Sequence, residues 1–277
     1  VLLLQKGADA AEQDVFLLRT SSDSLRRGLD AMTAVVRGCA AHGEDAELVE
    51  LPSSELRGRR WDPRYWIGRK RCLDAVNSHD LRELGDFIAH LTYGPIVTGS
   101  RPVHEPSGTP VVRQGDFLES GLDLSRVLRV TPESAHDPQR SRVRCGDLLL
   151  PRSGAGSLGR NRMAVYDCGE PANVGCFVDL IRLEGINPYY VWLFLKSGPG
   201  RGQIEALING VGTPNINFAE IRSLRIPVAG LDEQGRWQRK FAETVLPRHR
   251  RRFSDPEQGA AADRAFHDLV NELEASL

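Results

Sequence analysis

The stretch Arg142–Tyr166, RVRCGDLLLPRSGAGSLGRNRMAVY, restricts the fold of this chain more than any other. An Arg-Val-Arg alternation meets a Gly146-Asp147 turn, and the short apolar run Leu148–Leu150 follows. A loop of Gly, Ser and Arg then leads to a second β-prone run, Met163–Tyr166. Apolar runs this short, bounded by Gly and Asp, spell strand, loop, strand. Similar runs stand at Val1–Leu4, Val15–Leu18, Glu47–Leu51, Val111–Gly115, Phe177–Leu183 and Arg225–Val228, and Leu122–Val130 alternates. Leu81–Ile88 fits either a helix or a strand. Helical spacing predicts helices over Leu25–Ala41, Asn187–Lys196, Gln203–Ile208 and Asp232–Leu246. A final helix, capped at Ser254, carries the stripe Ala262, Phe266, Leu269, Val270 and Leu273. The expected class is α+β: a curved β-rich domain with short helices, then a C-terminal helical segment. No internal repeat is evident, and Gly198-Pro199-Gly200 reads as a helix stop.

The same opening stretch carries Arg142, Arg144, Arg152, Arg160 and Arg162 against one acid, Asp147. A basic loop on a β frame suits a polyanion. The whole chain does not share that charge: 277 residues carry a formal net charge of -1. Of the 36 cationic side chains 32 are Arg, which either reflects genomic composition or supplies the bidentate donors that phosphate and guanine accept. Five cysteines with no C-x-x-C pair point to reduced thiols in a cytoplasmic protein, not to a zinc site or a disulfide framework. No apolar run is long enough to span a membrane, and no signal peptide is visible. The chain begins at Val1 inside a strand-like run, as expected of a piece of something longer.

Three patterns bear on chemistry. Gly154–Gly159 matches G-x-G-x-x-G, but a strand-like run follows where a dinucleotide site needs a helix. Asn187-Pro188-Tyr189-Tyr190 approaches N-P-P-Y, yet it opens an apolar helix with Pro at the first turn. Arg57–Arg71 interleaves cations with Trp61, Tyr65 and Trp66. That arrangement serves a nucleic-acid surface or, as the plainer reading, pins the start of a domain. The seven histidines do not cluster, and no nucleophile elbow or P-loop is present. No catalytic residue and no metal ligand is expected.

Taken in order, these segments resemble the target recognition domain of type I restriction-modification specificity subunits. RWDPRYW at Arg60–Trp66 resembles the domain's opening. VVRQGDF at Val111–Phe117 and CGDLLLPRSGAGSLGR at Cys145–Arg160 resemble its two Gly-Asp strands, and residues 188–227 resemble its helical part. Residues 1–56 resemble the C-terminal end of a type I-like DNA adenine methyltransferase. The implied organisation is a methyltransferase remnant over 1–56, a recognition domain over 57–231 and a helical tail over 232–277 for packing or partner docking. The implied ligand is double-stranded DNA, read in sequence without catalysis. The implied partners are methyltransferase and possibly restriction subunits, with S-adenosylmethionine held in an upstream domain or partner and no cofactor in this chain. Arg142, Arg144, Arg160 and Arg162 are expected at phosphates, with Arg113 beside them. Arg152, Ser153 and Gly154 are expected close to the duplex. Tyr93, Thr98, Ser100 and Arg101, from the loop 92–108, are expected at base edges. Asn215 and Asn217 are expected to hold a turn and a helix cap. The alternative is a scaffold that docks partners through its C-terminal helices and is silent toward DNA.

Overall fold

The computed structural model describes residues 80–99, 101–208 and 213–277 in full. It adds the backbone of three strands at 2–5, 14–20 and 46–52, and residues 26, 65–67, 70 and 76. The chain divides into two compact units, 1–75 and 76–277.

In the first unit β1 (Leu2–Gln5), β2 (Asp14–Thr20) and β3 (Ala46–Pro52) form an antiparallel sheet with β2 in the centre. Leu2 pairs with Leu18, and Asp14 with Pro52. All three strands fall where the apolar runs predicted them. Apart from Arg26, which is helical, the expected helix 25–41 lies outside the described residues. Trp66 is 1% exposed and meets Tyr65 edge-on at 5.0 Å. At these two rings the anchoring role holds; the arginines before them lie outside the described residues.

The second unit is built on two four-stranded sheets. Its strands are β4 (Leu81–Glu83), β5 (Ile88–Tyr93), β6 (Thr109–Val112), β7 (Leu128–Val130), β8 (Arg142–Val143), β9 (Leu148–Pro151), β10 (Ala164–Val165), β11 (Ala172–Val174), β12 (Val178–Leu183) and β13 (Arg225–Pro227). One sheet runs β10-β9-β12-β5 and is antiparallel throughout; the other runs β7-β6-β11-β8, with β6 and β11 parallel. β13 and β4 make a separate ribbon. Leu148, Leu149 and Leu150 are all buried, so β9 is covered on both faces and its run is continuous rather than alternating.

The helices are α1 (Pro188–Lys196), α2 (Gly198–Leu207), α3 (Phe218–Arg222), α4 (Leu231–Thr244), α5 (Leu246–Arg251) and α6 (Pro256–Glu274). Asn187 caps α1: its side chain accepts from the backbone N–H groups of Tyr189 at 2.9 Å and Tyr190 at 3.4 Å. Here the N-P-Y-Y segment is a helix start. α1 ends at Lys196, just before Gly198-Pro199-Gly200, as expected, but the next helix begins at Gly198 and not at Gln203. Pro199 stands in the first turn of α2. Only glycine fits at 200, because a Cβ there would lie 2.1 Å from the Phe194 carbonyl oxygen. Asn217 caps α3 through a reciprocal box with Glu220, as expected. The last helix is capped by Asp255, not Ser254. Asp255 accepts from the Glu257 N–H at 3.0 Å, while the Ser254 hydroxyl donates to the Arg251 carbonyl.

α1 forms the hub of the helical end. Trp192 lies 5.2 Å from Phe241 of α4 and 4.7 Å from Phe266 of α6, ring centre to ring centre. Each such side chain contributes ~1.5–3 kcal/mol by burial, and each ring pair ~0.5–1.5 kcal/mol more. The predicted α6 stripe, Ala262 to Leu273, is buried in this contact. A polar network fastens the tail to the loop 116–122. The Ser120 hydroxyl donates to Asp263 at 2.7 Å. His249 Nε2 donates to the Leu122 carbonyl at 3.0 Å, and its Nδ1 accepts from Arg252 at 3.3 Å. Burial holds the His249 pKa below its ordinary value, so the ring is neutral at pH 7. Ser120 is fully buried and already donates to Asp263, so this Ser, His and Asp are a fastening and not a nucleophilic triad.

Candidate nucleic-acid interface

Two turns of the same construction frame the site. In RQGD, 113–116, the Asp116 carboxylate accepts from the Arg113 N–H at 2.7 Å; in RCGD, 144–147, Asp147 accepts from the Arg144 N–H at 2.8 Å. These are the two Gly-Asp segments that the sequence singled out. Gly146 has φ +93°, a conformation that favours glycine. Asp147 also receives the fork of Arg182, at 2.8 and 2.6 Å, which leaves it fixed within the framework.

β9 leads directly into the tip. Arg152–Gly154 pairs with 214–216: the Gly154 N–H donates to Pro214 at 3.0 Å, and the Ile216 N–H donates to Arg152 at 3.1 Å. Gln114 ties the first Gly-Asp turn to the tip by donating to the Ser153 carbonyl at 2.6 Å. Gly154 has φ +97°, and a Cβ there would lie 2.8 Å from Ser157 Oγ. Leu158 and Asn161 are buried, and Asn161 donates to the Leu195 carbonyl at 2.9 Å. This loop is therefore pinned rather than adaptable. Its glycines make a tight turn that ends in the three-residue 3-10 turn Leu158–Arg160, so no helix N-terminus follows to hold a pyrophosphate.

Above the tip lies a cluster that joins distant parts of the sequence. The Arg152 guanidinium sits 4.3 Å from the Tyr93 ring centre and 5.8 Å from that of Phe218. Arg140 approaches the same Tyr93 ring at 5.7 Å, and donates to Thr92 Oγ1 at 3.2 Å and the Tyr93 carbonyl at 3.3 Å. Both guanidiniums lie within cation–π distance of the one ring. Beneath them Asp179 of β12 is fully buried, and neither carboxylate oxygen has a hydrogen-bond partner among the described residues. Arg152 Nε lies 3.8 Å from it. Burial pushes the Asp179 carboxyl up to about 7, against the pull of Arg152.

The structure brings Tyr93, Arg152, Ser153 and Gly154 together, with Arg113 one residue from the Gln114 bridge. Tyr93 is the last residue of β5, so the predicted loop begins at Gly94. Thr98 and Arg101 are exposed on it, and Ser100 lies outside the described residues. Arg160 is exposed on the 3-10 turn. The other arginines are engaged elsewhere. Arg142 donates to buried Asp137 at 2.9 Å, and Arg162 pairs with Glu119 at 3.1 Å. Arg142 and Arg144 line a separate cleft with Arg182, Cys145 and Cys168. Asn215 forms the bridge opposite Ser153, in keeping with its expected role in the turn. Sequence reasoning missed Arg140, Phe218, Gln114 and Asp179. Only Asp179 left a local signal, a charge inside the apolar strand VDLIRL.

Among the described residues no His, Cys, Asp or Glu cluster is fit to hold a metal ion, and no helix is long and apolar enough to cross a membrane. Cys145, Cys168 and Cys176 are free thiols.

The class the second unit defines is α+β, two four-stranded sheets and a two-stranded ribbon with a C-terminal helical cluster. In structure the chain is similar to type I restriction-modification specificity subunits. One is the HsdS subunit from Thermoanaerobacter tengcongensis, at 16% identity and TM-score 0.42, with 91% of this chain and 58% of that one covered. Another belongs to a type I restriction-modification system studied for complex assembly and conformational transition, at 14% identity and TM-score 0.46, covering 90% and 58%. The type IIG restriction endonuclease BpuSI aligns at 10% identity and TM-score 0.49, covering 94% and 40%. This chain thus spans 40% to 58% of the length of these structures. No family model and no curated protein matches it.

Proposed function

We propose that this chain is a sequence-specific double-stranded DNA recognition module of a restriction-modification or phage-defence DNA adenine methyltransferase, and is not itself catalytic. The observation that carries this is the Arg140–Tyr93–Arg152–Phe218 cluster above a pinned glycine turn. Guanidiniums at a rigid tip meet phosphates without a large ordering cost, and the neighbouring loop 94–108 is left to reach base edges. The ordered sequence motifs support the same reading. Methyl transfer and its cofactor, S-adenosylmethionine, would belong to an upstream domain or partner, and the chain would work beside methyltransferase and restriction subunits.

The test is duplex binding by fluorescence anisotropy across a salt series. Arg152→Ala is expected to weaken binding and to flatten the plot of log affinity against log salt by ~1 unit, one phosphate contact being lost. Absence of binding to any duplex at low salt would falsify the proposal. The alternative, a scaffold docking partners through its C-terminal helices, is less well supported. The apolar stripe it would use is buried against Trp192 and Phe241 of the same unit.

A further inference from the structure

A cavity of about 580 Å³ opens between the loop 94–108 and the sheet β7-β6-β11-β8, immediately beside the tip. Val97 and Pro102 wall it from the loop, and Val111, Val130 and Val174 wall it from the sheet. Its volume falls within the range of pockets that enclose small organic ligands. Two features join it to the proposed DNA face. Gln114 lines the cavity and donates to the Ser153 carbonyl. Phe177 also lines it, and its carbonyl accepts from the Arg152 N–H at 3.0 Å.

We propose that this cavity receives a single unpaired nucleobase, swung out of a duplex that lies on the Arg152–Tyr93 face. The inference rests on the DNA reading above. A nucleobase is flat and apolar on its faces, polar on its edge, and attached to an anionic backbone. The cavity offers a counterpart to each. Its walls are valine and proline. The Phe177 ring is 57% exposed at the mouth, where a stacking partner would cover it. The Gln114 amide and His136 stand in the lining, and His136 Nε2 is buried with no hydrogen-bond partner among the described residues. Arg113, with its side chain 52% exposed, lies at the edge within reach of a flanking phosphate. An apolar side chain from a protein partner would satisfy the walls but leave His136 Nε2 unmatched, while Arg113 already stands 3.9 Å from Asp116. Asp116 also lines the cavity, but it accepts from the Arg113 N–H and serves the turn.

The test compares two duplexes, one fully paired and one with a single-nucleotide 2-aminopurine bulge, whose base is unpaired and so costs less to swing out, whatever the target sequence. Wild-type protein is expected to bind the bulged duplex about tenfold more tightly, with a change in 2-aminopurine emission, as one stacked base allows. Phe177→Ala removes the exposed ring, and Leu128→Trp fills the cavity from β7. Each is expected to bring the two affinities together while the melting temperature and the affinity for paired DNA hold. Equal affinity of wild type for both duplexes overturns the pocket and leaves the DNA reading standing. A preference that persists in both variants overturns it as well. Binding to neither duplex overturns both proposals.

Discussion

Asp179→Asn separates the cost of a buried charge from its use. Asp179 is fully buried, its oxygens accept no hydrogen bond among the described residues, and Arg152 Nε stands 3.8 Å away. Its carboxyl titrates at about 7 in the fold and near 3.9 in an unfolded chain. Between these values the folded state binds the extra proton, so stability falls as pH rises from about 4 to 7. Above 7 both states are ionised and the penalty is constant, about 4 kcal/mol at ~1.36 kcal/mol per pH unit. Asparagine removes that penalty but buries an amide that also lacks partners, at a cost of ~1–3 kcal/mol. The variant is therefore expected to be more stable than wild type by ~1–3 kcal/mol at pH 8, or roughly 2–10 °C in melting temperature. At pH 5 only ~1.5 kcal/mol of that penalty has developed, which no longer exceeds the amide cost, so the variant should melt level with wild type or a few degrees below it. Thermal denaturation by circular dichroism from pH 5 to 8.5 reads this directly. A melting difference that does not change with pH refutes the reasoning, because it would show that the Asp179 carboxyl does not titrate in this range.

Two other substitutions probe the framework. Arg182→Ala leaves the buried Asp147 carboxylate without its fork and is expected to cost ~3–5 kcal/mol in urea denaturation, whereas a surface pair such as Arg201–Glu205 should cost under ~1 kcal/mol. Gly121→Ala places a Cβ 2.8 Å from His249 Cε1 at φ +150°, and should lower the melting temperature by several degrees, at a cost of ~1–3 kcal/mol, by loosening the tail from the loop 116–122.

The parts of the fold that were legible in the sequence are those set by local chemistry. Leu148–Leu150 as a strand, the helix start at Asn187-Pro188, Asn217 as a cap, and the α6 stripe all follow from a few adjacent residues. The corrections arise where neighbours compete. Gly198-Pro199-Gly200 follows the end of α1 because glycine and proline break helices, yet Pro199 starts the next one just as well, and Gly200 is required by the Phe194 carbonyl. The tip was legible as basic but not as rigid, because its stiffness comes from Leu158 and Asn161 buried against other elements. Arg140 and Phe218 could not be found from sequence at all. They stand 47 residues after and 125 residues after Tyr93; Arg140 reaches the ring through hydrogen bonds to His90, Thr92 and Tyr93 of β5, and Phe218 follows the 214–216 bridge to Arg152–Gly154.

Net charge was the least informative quantity, and the structure shows why. The chain totals -1, but its acids are not spread evenly over its surface. Asp116 and Asp147 hold the two turns, Asp137 accepts from Arg142, Asn173 and Thr109, and Glu119 takes Arg162 and Lys196. Each of these carboxylates is committed to internal hydrogen bonds or ion pairs. At the tip, the one acid beside Arg152 is buried and titrates near neutrality, while Arg140 and Arg160 stay exposed. Screening at physiological salt confines a charge's influence to about 8 Å, so a phosphate at the tip meets these cations rather than the sum over the chain. A negative total is therefore compatible with a polyanion-binding face, provided the acids are used in building the frame that presents it.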